Sequence, residues 1–154
     1  MGVDPLMDFR VRPMTEAEAV LVKDSWTRTT TDQGPGRYAC RLGECRVIGW
    51  AWFDMHRAWV RERLADPGTS VLVATLAGSD EALGWVCFSP PAGTLPLVLH
   101  YAYTIPVARR TGVAEALLRA ALAHGDRRLP RLSHTTESVN RILAHLTMRE
   151  AVPA

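Results

Sequence analysis

The sequence predicts an α+β fold in three layers, a mixed and mostly antiparallel central sheet flanked by helices. Three observations carry that expectation. Alternating or continuous apolar runs at residues 8–12, 70–76, 83–88 and 97–105 are bounded by Pro and Gly, which is strand patterning. Residues 54–64 and 113–122 instead place apolar side chains three and four apart, the spacing of an amphipathic helix. With 154 residues and 47% hydrophobic composition, the chain is long enough to bury a core as one domain over residues 1–154.

Taken in order, residues 1–7 read as a loose leader. Asp8-Phe-Arg-Val-Arg12 alternates polar and apolar residues and is stopped by Pro13. Thr15-x-x-Glu18 has the form of a capping box ahead of Ala19, Val20, Leu21 and Val22, so a helix is expected from about Glu16 to Thr27. Thr29 to Gly36 is polar with Gly and Pro, hence a loop. Residues 37–53 resist assignment, because the apolar run Val47 to Phe53 is interrupted by Gly49. Asp54 to Leu64 reads as a helix closed by Asp66-Pro67-Gly68. Ser70 to Leu76 and Leu83 to Phe88 flank the turn residues Gly78 to Glu81, which makes a hairpin. Arg131 to Thr136 is expected as a short fifth strand and Glu137 to Met148 as a final helix.

The stretch from Leu97 to Leu122 organises the rest. Leu97 to Ile105 is apolar and aromatic, and Pro106 ends it as a strand. A basic turn, Arg109-Arg110-Thr111-Gly112, leads into a helix with Val113, Leu117, Leu118, Ala121 and Leu122 on one face. A strand feeding a helix through such a turn leaves backbone N–H groups open at the helix N-terminus. Those groups and the helix dipole favour an anion.

Bulk numbers exclude some classes. The net charge of +2 is too small to argue for nucleic acid. Lys23 is the one lysine among 18 basic residues, a bias that reads as a GC-rich coding genome, with Arg109 and Arg110 as the phosphate candidates. Three cysteines, an odd number, argue against a disulfide framework, and Cys40, Cys45 and His56 have no familiar metal-ligand spacing. No membrane span or signal peptide is read, so cytoplasmic residence is expected.

The pattern Arg109-x-x-Gly112-x-Ala114 after an aromatic strand resembles motif A of the GNAT superfamily, the acyl-CoA-dependent N-acyltransferases. "Phe-Arg-Val-Arg-Pro-Met-Thr" with its helix, and "Val-Leu-Val-Ala … Leu-Gly-Trp-Val", resemble other segments of that family. The element order β-α-α-β-β-β-α-β-α over residues 8–150 is also the GNAT order. The resemblance implies N-acetyl transfer from acetyl-CoA to an amine. It implies coenzyme A contacts at Tyr103, Thr104, Ile105, Arg109, Arg110, Thr111, Gly112, Val113, Ala114 and Asn140. The turn would hold the pyrophosphate and the preceding strand would pair with the pantetheine arm.

Two departures from the family matter. Seven residues after Asn140, where many members carry a proton-donating Tyr, stands Thr147, whose hydroxyl is a far poorer donor than a phenol. The chain runs six residues past Met148, where members of the family usually continue with two more strands; the resemblance implies that these are absent or come from a partner subunit, as in a homodimer. That shortening resembles phage- and prophage-encoded GNAT-like proteins, which share Ser25-Trp26, the "Leu-His-Tyr-x-Tyr" strand from Leu99 to Tyr103, and His134 to Thr136. For those the setting would be the host cytoplasm. The Mom-type DNA-modifying phage proteins are GNAT-like too, so the acceptor classes are a small molecule, a peptide or a nucleobase. Arg127, Arg128 and Arg131 would be the footprint on DNA. A non-catalytic accessory protein that keeps the fold is the reading from another class.

Acetyl transfer needs a base for the ammonium proton, donors for the tetrahedral oxyanion and an oriented donor substrate. By strand alternation His100 and Tyr101 stand on opposite faces, so one of them faces the cleft. A neutral His100 could act as the base, or be a core-packed histidine. Tyr101, His134 and Thr147 complete the catalytic candidates. His56, Trp50 and Trp52 fall in the region that caps the acceptor side in this family.

Overall fold

A computed structural model describes residues 8–31, 39–42, 45–133 and 141–146. The chain divides into two compact units, Thr15–Thr69 and the combination of Met1–Met14 with Ser70–Ala154. The second contains the sheet that carries the predicted turn.

In that unit β1 (Phe9–Pro13), β4 (Ser70–Leu76), β5 (Ala82–Ser89), β6 (Val98–Thr104) and β7 (Arg131–Leu132) form a five-stranded sheet in the order β1-β4-β5-β6-β7. The first four are antiparallel neighbours, and β7 is parallel to β6. Pro13 does not stop β1 but ends it inside the ladder, opposite Leu72. β1 is an edge strand, so the missing N–H costs no bond. The Gly78 turn forms with φ +80°, closed by the Ser79 N–H on the Leu76 carbonyl at 3.0 Å.

Helix α3 (Val113–Leu122) lays Val113, Leu117, Leu118 and Ala121 against one face of this sheet. They bury together with Leu72, Ala74, Leu83, Val86, Phe88, Leu97 and Leu99, and with Leu143 and Leu146 from the helical residues 141–146. The sequence pattern of Leu97 to Leu122 is thus realised as strand, turn and core-facing helix. The N-terminal and C-terminal parts of the expected last helix, and residues 134–136 of the expected fifth strand, lie outside the described residues.

The other unit departs more from expectation. The capping box forms, with the Thr15 N–H on Glu18 Oε2 at 2.9 Å. The helix it starts is longer than predicted, a 3-10 turn at Glu16–Glu18 followed by α1 (Ala19–Thr31). Residues left unassigned form a hairpin of β2 (Ala39–Leu42) and β3 (Cys45–Ile48), a two-stranded sheet of its own. Helix α2 (Gly49–Ala65) starts at the glycine that interrupted the apolar run, five residues before the predicted Asp54 start. Gly68 N–H on Asp66 Oδ1 at 2.8 Å closes the segment after it, as the Asp-Pro-Gly sequence predicts.

Candidate active site

The candidate site starts from an irregularity in β6. Phe88 faces Leu99 across the β5–β6 ladder while Cys87 faces Tyr101. His100 is therefore the extra residue of a β-bulge. Leu99 and Ala102, three residues apart, both pack toward the α3 core, which unbroken alternation forbids. Tyr101 lies on the other face, its ring 5.5 Å from that of Trp85, and the Tyr103 ring is 6.2 Å from the same indole.

His100 also lies on that face. Its Nε2 is 2.8 Å from Ser89 Oγ, and its Nδ1 is 3.0 Å from Ser133 Oγ. Ser89 follows Phe88, which points into the α3 core, so Ser89 projects away from it. The expectation that His100 and Tyr101 stand on opposite faces is thereby corrected, because the bulge consumes one step of the alternation. The His100 side chain is 5% exposed with both ring nitrogens engaged. A neutral imidazole offers one donor and one acceptor, and serine hydroxyls can answer both. This geometry fits the packed reading of His100.

Below the bulge β7 joins β6. The Arg131 N–H donates to the Leu97 carbonyl at 2.8 Å, and the Ser133 N–H to the Leu99 carbonyl at 3.0 Å. Among the described residues the β6–β7 ladder pairs Val98 with Arg131 and Leu99 with Leu132. Ser133, exposed, follows it.

At its other end β6 runs into the basic turn. A 3-10 turn at Pro106–Ala108 follows Ile105. Thr111 Oγ1–H donates to the Ala108 carbonyl at 2.6 Å, and Arg109 Nε–H to the Thr104 carbonyl at 3.3 Å. Arg110 has φ +63° and Gly112 φ +93°, a curl that suits an anion-binding concavity. Gly112 is the N-cap of α3 and brings no side-chain cap. The Ala116 N–H to Gly112 carbonyl bond at 2.9 Å opens the helix, so the Val113 and Ala114 N–H groups precede its first α-helical bond. A phosphate would supply the cap the sequence leaves out. Arg109, Arg110 and Gly112 are exposed, so an anion can reach them.

Gly84 sets how closely this turn sits on the sheet. A Cβ there would lie 2.5 Å from the Tyr103 carbonyl oxygen, 3.1 Å from Val113 and 3.2 Å from Leu117. Only hydrogen fits between β5, β6 and the first turn of α3.

The structure thus brings Tyr103, Thr104, Ile105 and Arg109 through Ala114 into one strand, turn and helix start. His134, Asn140 and Thr147 lie outside the described residues. His56 belongs to the other unit, where it is buried beside Trp59 at a ring distance of 6.1 Å. Of the three arginines offered as a DNA footprint, Arg128 is engaged within the chain. It donates to the carbonyls of Gly93 and Leu95 at 3.2 and 3.1 Å and pairs with Asp126 at 2.6 Å. That hydrogen bonding holds the Asp126 carboxyl below its ordinary range and raises the guanidinium. Ser89 and Ser133 were not singled out by sequence. Serines at two strand ends acquire meaning only when the fold places a histidine between them.

A family model described as the Acetyltransferase (GNAT) family matches residues 4–149. The chain belongs to the GNAT acetyltransferase family. Its solved relatives are distant and show the same fold. A GNAT-fold structure described as histone acetyltransferase HPA2 and related acetyltransferase, from Corynebacterium glutamicum, is 19% identical, with a TM-score of 0.61 over 96% of this chain and 90% of that one. The aminoglycoside acetyltransferase AAC(6')-Iy, solved with the bisubstrate analogue CoA-S-monomethyl-acetylneamine, is 16% identical, with a TM-score of 0.55 over 92% and 89%. A second structure of AAC(6')-Iy, with CoA, is 17% identical with a TM-score of 0.53 over 96% and 90%. No curated protein matches this GNAT chain. Acetyl-CoA is the donor that goes with GNAT acetyl transfer, and the uncapped, glycine-led start of α3 fits its phosphates.

Proposed function

We propose that this GNAT chain transfers the acetyl group of acetyl-CoA to the amine of a small molecule. The observation that carries the reading is the start of α3, where two left-handed residues and a missing side-chain cap leave a phosphate-sized role open beside two exposed arginines. In this reading the Gly112 to Ala114 backbone and the Arg109 and Arg110 side chains hold the pyrophosphate, and Tyr103 and Thr104 of β6, with Ile105 after it, line the pantetheine. Acetyl-CoA supplies an activated thioester. The chain's part is to bind and orient it, exclude water and move protons.

Tyr101 and Tyr103 stand on the face away from α3, half-buried, and a phenol there is a better proton donor than Thr147. We assign them ahead of His100 for proton transfer, with His134 as a further candidate and Asn140 kept as a coenzyme A contact. A small-molecule acceptor is supported by AAC(6')-Iy, whose bound analogue joins CoA to an aminoglycoside fragment. The DNA nucleobase reading has less behind it, because Arg128 is already committed to Asp126 and two carbonyls. The family match over residues 4–149 supports reading the chain as a single such domain.

Gly112→Leu tests the assignment. A side chain at φ +93° is strained and covers the N–H groups, so CoA affinity in calorimetry should fall by more than about tenfold. Unchanged affinity would place the phosphates elsewhere. Thiol release from acetyl-CoA across a panel of primary amines tests turnover. CoA binding without transfer to any of them would turn the reading toward an accessory role.

A further inference from the structure

We infer that His100 is a positioning residue, a clasp that fixes the bulge of β6 and seats β7 beside it. Three strands meet at its ring. Ser89 ends β5, Ser133 follows β7, and the imidazole spans them with contacts of 2.8 and 3.0 Å. Its backbone belongs to the bulge itself, and its carbonyl oxygen is 3.4 Å from the same Ser133 hydroxyl. Buried and bonded on both sides, the ring holds the two serine-bearing strand ends at fixed separation.

The place of this clasp gives it consequences for the donor site. An antiparallel strand with one extra residue has a competing pairing without the bulge, in which the strand beyond that residue slides by one along the ladder. In the register of β6 that slide would put Tyr101 opposite Val86 and Ala102 opposite Trp85, exchanging their faces and pulling Tyr103 and Thr104 out of line with the turn that starts at Ile105. The side chain of the extra residue, tied to β5 on one side and to the end of β7 on the other, blocks that slide. A polar, hydrogen-bonded ring serves here better than an apolar one, since direction is what must be fixed.

The inference rests on the proposed donor site only for its effect on CoA; the clasp itself is tested without ligand. Ser133→Ala and Ser89→Ala each remove one hydroxyl and keep the ring, so the chain keeps its core. By hydrogen exchange, the amides of Tyr101 to Thr104 should then exchange about tenfold faster, while those of Val73 and Leu117 in the core keep their wild-type rates. His100→Phe should give the same local pattern, and adding Ser133→Ala to it should change nothing further. The CoA dissociation constant should rise about five- to tenfold in each variant. Unchanged exchange at Tyr101 to Thr104 in both serine variants, or an equal increase throughout the sheet, would overturn the clasp. Failure of the wild type to bind CoA, with the local exchange pattern present, would overturn the donor-site reading and leave the clasp standing.

Discussion

Two residues beside the turn give opposite forecasts for substitution. Gly84 has no room for a methyl group, because the nearest atom is a backbone oxygen at 2.5 Å that cannot rotate away. Gly84→Ala should cost about 2–3 kcal/mol and lower the melting temperature by about 5 °C or more; an unchanged melt would mean that α3 lifts from the sheet freely. Arg110 sits at φ +63°, a conformation that costs a side-chain-bearing residue about 1 kcal/mol. Arg110→Gly should therefore stabilise the chain slightly in denaturant melts while weakening CoA binding. Gain in one and loss in the other would identify strain retained for charge. Lower stability in the variant would refute it. From sequence the glycine at 112 was readable, since Arg-x-x-Gly ahead of an apolar helix has a physical reason. The bulge at His100 was not, because a one-residue insertion in a ladder leaves no trace in an apolar aromatic run.

Among elements, the loop between β5 and β6 is held by a contact distant in sequence. Arg128, in the turn after α3, donates to Gly93 and Leu95 and is itself oriented by Asp126. The Asp126 carboxyl is held below its ordinary value by Arg128. A depressed carboxyl contributes stability above its unfolded pKa and loses it as pH falls through the folded value. Protection of the Leu95 amide, its exchange rate relative to the intrinsic rate at each pH, should accordingly be high at neutral pH and fall only as acidification passes below the usual carboxylate range. Asp126→Asn should show the lower protection already at neutral pH. A variant indistinguishable from wild type at neutral pH would show that the tether needs no ion pair. Elements with a strong period, β4, β5 and α3, were legible to within a residue or two. The β2–β3 hairpin was not, because four-residue strands that pair with each other rather than with the main sheet give too short a pattern to read. Helix α2 was legible in its second half, where charged residues mark a solvent side, and illegible where Trp50 and Trp52 hide the period.

At the scale of the whole molecule, the fold class and family followed from one strand, turn and helix read in an ordered series of elements. The acceptor did not, since no residue pattern in the sequence names an amine. The donor half carries the firmer forecast. The wild-type chain should bind CoA with an affinity that falls as salt is raised, because Arg109 and Arg110 are exposed and their attraction for phosphate is screened. Salt-independent binding would remove the arginines from the account.

The glycine beneath α3 has one more consequence. With room for nothing larger than hydrogen at Gly84, beside the Tyr103 carbonyl, Val113 and Leu117, β5 and β6 and the start of α3 pack at the closest approach that a backbone allows. If the proposed donor site holds, little of the binding energy of coenzyme A is spent on ordering the turn, because the contact that seats it is already made by the backbone.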